Sequence, residues 1–141
     1  MIRRFLLICS LALFAVACNN SPADSNSAEA ATDITALKKD VIAKHDTAMA
    51  RMNEIAALQK KLKQEISPED SLEFMDVYGQ LQNAREGMMT WMREFDVPSD
   101  SSEAGQLRYL KGEYDRISEV DENMLTAIAK AEILLEEKAL N

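Results

Sequence analysis

The chain has 141 residues, 47% of them apolar and 28% charged, with a formal net charge of −8 and only seven Gly and Pro positions. This length supports one modest domain, and the composition excludes a collagen-like, disulfide-rich or wholly disordered polypeptide. The acidic balance argues against sequence-independent binding of nucleic acid, which needs Lys and Arg to neutralise phosphates.

The N-terminus places Arg3 and Arg4 before a mainly apolar run from Phe5 to Val16. That run falls short of the roughly 20 apolar residues of a membrane-spanning helix, so residues 1–17 read as an export signal. Phe5 follows the arginine pair directly, without the intervening residue of twin-arginine signals, which favours general secretion. The ending Ala15-Val16-Ala17-Cys18 resembles the lipobox of bacterial lipoproteins, with Ala15 where Leu is more usual. The resemblance implies that Cys18 is diacylated and becomes the first mature residue, and that the chain is a membrane-attached lipoprotein. Loss of residues 1–17 leaves 124 residues and, without Arg3 and Arg4, a net charge of −10. Cys9 leaves with the signal and Cys18 carries lipid, so no disulfide is expected. Two or three acyl chains anchor durably where a single chain binds only marginally.

From Asn19 to Asp33 the chain is rich in Ser, Ala, Asn and Asp, with no Lys, Arg or aromatic residue. With nothing to bury in a core, residues 18–33 are expected to be a lipidated Cys and a disordered tether with a reach of about 20 Å. In Gram-negative lipoproteins, Asp directly after the Cys favours the inner membrane. Asn19 stands there instead, so the resemblance implies the periplasmic face of the outer membrane.

Residues 34–141 are helical by period, and an all-α, antiparallel up-down-up three-helix bundle is predicted, with helices at about 34–66, 68–96 and 101–139. The first stripe is Val41, His45, Ala48, Met52, Ile55, Gln59, Leu62 and Ile66. Ser67, Pro68 and Asp70 form the expected turn and cap. The second stripe is Phe74, Tyr78, Leu81, Arg85, Met88, Met92 and Phe95. Val97-Pro98 ends that helix, and Asp100 with Glu103 is expected to cap the third. The third stripe runs Leu107, Leu110, Tyr114, Ile117, Asp121, Met124, Ile128, Ala131 and Leu135. A long parallel coiled coil is the alternative architecture, and Pro68 and Pro98 argue against it. Nothing in the pattern selects an oligomeric state.

One cluster is chemically unusual. The only histidine, His45, lies one turn from Met49 and two from Met52, which places them near one helix face. A turn near Pro68 pairs residues whose numbers sum to about 135, setting His45 level with residue 90, beside Met89 and Met92. Thioethers and imidazole suit Cu(I), so His45, Met49, Met89 and Met92 are candidate copper ligands, with Met52 and Met88 as substitutes. The plain alternative is that Met fills irregular gaps in a core with few aromatics, and no cofactor is bound. Haem ligation is a further alternative, without a Cys-x-x-Cys-His sequence and with little room for a porphyrin. A Met-lined groove for an amphipathic peptide is another. Trp91 closes the core or presents a partner face.

The segments His45-Asp46 with Met49 and Met52, and Met88-Met89-Thr90-Trp91-Met92 through Phe95, resemble small bacterial lipoproteins carried under the name "viral A-type inclusion protein". That resemblance covers roughly half of the mature chain. It implies no activity, only that the two segments belong together.

Gln59, Arg85 and Asp121 interrupt the stripes. Arg85 and Asp121 are a possible pair, but the antiparallel arithmetic favours a snorkelling Arg85 and an Asp121 that accepts the Tyr78 hydroxyl. No phosphate loop, Gly-x-Ser-x-Gly, His-Glu-x-x-His or mature thiol nucleophile is present, so the chain is read as a non-enzyme. The leading expectation is a lipid-anchored module that binds a protein of the cell envelope, and soft-metal binding is the competing one.

Overall fold

The computed structural model describes residues 22–66 and 71–140. It is an all-α bundle of three helices, α1 (Pro22–Glu65), α2 (Ser71–Glu94) and α3 (Glu103–Leu140). Cys18 and the expected turn and cap at Ser67, Pro68 and Asp70 lie outside the described residues. No described helix is long and apolar enough to cross a membrane.

The core follows a seven-residue repeat. Val41, Ala48, Ile55 and Leu62 are fully buried on α1, as are Phe74, Leu81 and Met88 on α2 and Leu110, Ile117, Met124 and Ala131 on α3. Each recurs every two turns, which keeps one seam of each helix on the bundle axis. Burying each large member contributes about 1.5–3 kcal/mol. The helices run up, down and up. His45 meets Trp91 and Lys63 meets Tyr78 across α1 and α2. Tyr109 meets Phe95 and Lys130 meets Gln80 across α3 and α2. In both pairs of helices the numbers rise on one side as they fall on the other.

Two boundaries differ from the sequence reading. α1 begins at Pro22, twelve residues before Ile34, so the expected tether is helical from Pro22 onward. Glu29, Ala31, Thr32 and Asp33 are exposed, and none of residues 29–33 is buried in the core. Its origin is local. Pro22 suits a first helical position, alanines favour helix, and residues added to an existing helix skip the cost of nucleation. The cap of α3 is Ser102 and not Asp100. The Gly105 N–H donates to Ser102 Oγ at 3.2 Å, and the Gln106 N–H donates to the Ser102 carbonyl at 2.9 Å.

The buried edge of α2 is also rotated by one residue. Val77, Ala84 and Trp91 are buried, whereas Arg85 and Met92 are exposed and Tyr78 is half-buried. α3 packs extensively on both other helices, while α1 and α2 touch each other least. α2 therefore turns Val77 toward Ile133 and Leu134 of α3, buries Trp91 against His45 of α1, and leaves Tyr78 and Arg85 beside a shallow α1–α2 groove.

Candidate functional site

The sequence-predicted residues fall into three places. The first is an aromatic ladder at the end of the bundle where α2 finishes. The His45 ring stacks on Trp91 with centroids 5.5 Å apart, Trp91 stacks on Phe95 at 4.8 Å, and Phe95 tilts against Tyr109 at 6.3 Å. Three helices thus meet through one run of rings, each such contact adding to area burial. The Tyr109 hydroxyl accepts the Asp96 N–H at 2.7 Å and so receives a donor freed where α2 ends. Burial raises the Tyr109 phenol above its ordinary range and outweighs the Asp96 N–H, which favours phenolate.

His45 Nδ1 lies 3.0 Å from Asp46 Oδ1. The methionines occupy different environments. Met88 is fully buried in the core, and Met49 and Met52 are half-buried against it. Met89 and Met92 are 40% and 41% exposed. The ring facing His45 is the Trp91 indole, so Trp91 belongs to the core, with its Nε1 buried and without a hydrogen-bond partner. Among the described residues no group of three or more His, Cys, Asp or Glu is gathered as metal ligands would be.

The second place is the Asp121 carboxylate, 3% exposed on α3. Lys44 Nζ lies 2.8 Å from its Oδ2, and Arg51 Nη1 donates to its Oδ1 at 2.5 Å and to the Thr47 carbonyl at 2.9 Å. Lys44 and Arg51 are seven residues apart on one face of α1, so one carboxylate is gripped at two levels. Asp121 therefore does not accept the Tyr78 hydroxyl, and it forms no pair with Arg85. A buried carboxylate is costly without such partners. Nearby, Arg116 bridges the buried Glu113, at 2.8 Å, and Glu94. Glu94 and then Glu113 hold the Arg116 guanidinium above its ordinary range. The second Glu113 oxygen, Oε2, is buried without a hydrogen bond.

The third place is the α1–α2 groove. Its central cavity of about 440 Å³ is lined by Gln59 of α1 and by Tyr78, Gln82, Arg85, Met89 and Arg93 of α2, among others. It continues past Tyr78 and Lys63 into an apolar cleft of about 250 Å³ floored by Leu62 and Phe74. Lys63 Nζ sits 4.9 Å over the Tyr78 ring. Of the candidate residues, Arg85 and Met89 share this groove. Sequence reasoning missed Lys44, Arg51 and Glu113. Glu113 sits three residues after Leu110 and four before Ile117, a stripe position that an apolar template passes over.

No family model matches the chain, and neither the curated proteins nor the solved structures compared with it contain a match.

Proposed function

We propose that the chain is a lipid-anchored module of the cell envelope that binds a protein partner, held at the periplasmic face of the outer membrane through Cys18. One observation carries the binding half of this reading. α1 and α2 meet along a shallow groove that keeps Arg85, Met89 and Tyr78 accessible, whereas both helices are well packed on α3. The anchor half rests on the lipobox-like Ala15-Val16-Ala17-Cys18, and α1 is one unbroken helix from Pro22. From Pro22 to Gln59 that helix advances about 55 Å. A Cys18 anchor therefore has a stiff post between it and the groove. Metabolic labelling with palmitate is expected to mark the wild-type chain and not Cys18→Ser, with the variant moving to the soluble fraction. An unlabelled variant that stays on the membrane contradicts the anchor. Crosslinking in intact cells is expected to recover one defined envelope protein, and recovery of random neighbours contradicts partner binding.

A second reading, Cu(I) binding by His45, Met49, Met89 and Met92, is favoured by the His45–Asp46 contact. A carboxylate on Nδ1 leaves Nε2 as the coordinating atom, as metal-bound histidines arrange it. Anaerobic titration against a Cu(I) chelator tests it. Affinity above that of the His45→Ala, Met89→Leu, Met92→Leu triple variant supports it, and equal affinity overturns it.

A further inference from the structure

Charge is distributed unevenly over the grooves of the bundle. The chain carries 24 acidic and 16 basic residues. Along the α1–α2 groove the order is reversed among the described residues: Lys60, Lys63, Arg85 and Arg93 line it with one carboxylate, Glu86. Glu86 already accepts a hydrogen bond from Gln82 at 2.9 Å. Arg85 is exposed and makes no hydrogen bond or ion pair among the described residues. The α2–α3 groove is the opposite, with Glu73, Asp76 and Glu137 against one cation, Lys130. A local reversal of sign in an acidic protein steers a partner of complementary charge.

The apolar and polar parts of the cationic groove also alternate. Leu62, Phe74 and Met75 line one end, Met89 lies toward the other, and Gln59, Tyr78 and Gln82 lie between. From Phe74 to Arg93 the groove follows α2 for roughly 28 Å, about five helical turns. An extended apolar trough is what an acyl chain needs. A helix with apolar anchors at three- and four-residue spacing and acidic flanks fits this alternation better.

We propose that the α1–α2 groove receives an acidic amphipathic helix of a partner protein, which docks as a fourth helix with Arg85 taking one of its carboxylates and Met89 and the Leu62–Phe74 cleft taking its apolar face. This rests on the partner-binding reading above and names the site and chemistry of the partner. Met suits such a face because its unbranched, polarizable side chain adapts to different apolar neighbours.

The test is selection from a phage-displayed library of random helix-forming peptides on the full-length chain in detergent micelles. The enriched peptides are expected to be acidic, with apolar residues at i, i+3 or i+4, and i+7. Their affinity is expected to fall at least fivefold on Arg85→Glu, to fall further on Arg85→Glu with Lys60→Glu, and to weaken with salt. Lys111→Glu, an equal charge change at an exposed α3 position, is expected to leave it within twofold. Unchanged thermal unfolding of each variant excludes loss of fold. Enrichment of neutral or basic peptides, acidic peptides indifferent to Arg85→Glu, or no enrichment overturns the proposal. Binding to phosphatidylglycerol vesicles that Arg85→Glu abolishes, without peptide enrichment, identifies a lipid occupant and also overturns it. Each of these failures leaves envelope partner binding to stand or fall on crosslinking in cells.

Discussion

The imidazole of His45 lies stacked on the indole of Trp91, 5.5 Å between centroids and 29° from parallel, and this contact ties α1 to the end of α2. Trp91 is also stacked on Phe95 at 4.8 Å, so one buried ring serves two neighbours. Trp91→Ala is expected to cost about 3–5 kcal/mol in urea unfolding followed by circular dichroism. Trp91→Phe keeps a ring in place and removes the unpaired Nε1–H, so its expected cost is below about 1.5 kcal/mol. Equal losses in the two variants contradict a packing role for the ring.

Arg51 and Lys44 hold Asp121 from two levels of α1, and this grip fixes how α1 and α3 are aligned lengthwise. Asp121→Ala leaves two cations partly buried without their carboxylate, at an expected cost of about 3 kcal/mol. Asp121→Leu combined with Arg51→Met is expected to recover most of that stability, because well-packed apolar replacements often match a buried ion pair. Chemical denaturation of the three proteins, wild type included, measures both. A double variant as unstable as Asp121→Ala contradicts the argument.

Tyr109 gives stability a component that weakens at alkaline pH. Its phenol is raised by burial, so the folded chain holds that proton more tightly than the unfolded chain does. The resulting stability is fully present below the unfolded phenol value and is lost as pH rises through the folded one. The absorbance titration of wild type minus Tyr109→Phe is expected to have its midpoint above the ordinary phenol range. A midpoint within or below that range contradicts the reading. Unfolding free energy is expected to fall with rising pH more steeply in wild type than in Tyr109→Phe.

Ser102 satisfies one of the free N–H groups at the start of α3. Ser102→Ala is expected to cost about 1 kcal/mol, while Asp100→Ala is expected to be neutral within about 0.5 kcal/mol. Thermal unfolding of both variants compares the two candidate caps directly.

The bundle itself was legible in the sequence because its core is a repeat. Val41, Ala48, Ile55 and Leu62, with their counterparts on α2 and α3, follow a seven-residue period that any helical template detects. The antiparallel arithmetic also placed His45 level with residue 90, one position from the Trp91 it contacts. The rotation of α2 was not legible. Tyr78, Arg85 and Met92 flank the same axis as Val77, Ala84 and Trp91, and only the packing of α2 against both neighbours chooses between the two edges. The long start of α1 was not legible because a segment without core-forming residues carries no apolar period from which to read a helix. The partners of Asp121 escaped for a different reason: a period identifies which residues point inward, whereas a long Arg or Lys on a neighbouring helix reaches in from its edge.

The most direct measurement of the central claim is site-specific photocrosslinking in intact cells, with the reactive residue at Met89 in the α1–α2 groove and, separately, at the exposed Leu125 of α3. A module that binds one envelope partner through this groove is predicted to give a single discrete adduct from position 89, in the membrane fraction, and none of that mass from position 125. Heterogeneous adducts of equal yield from both positions contradict the account.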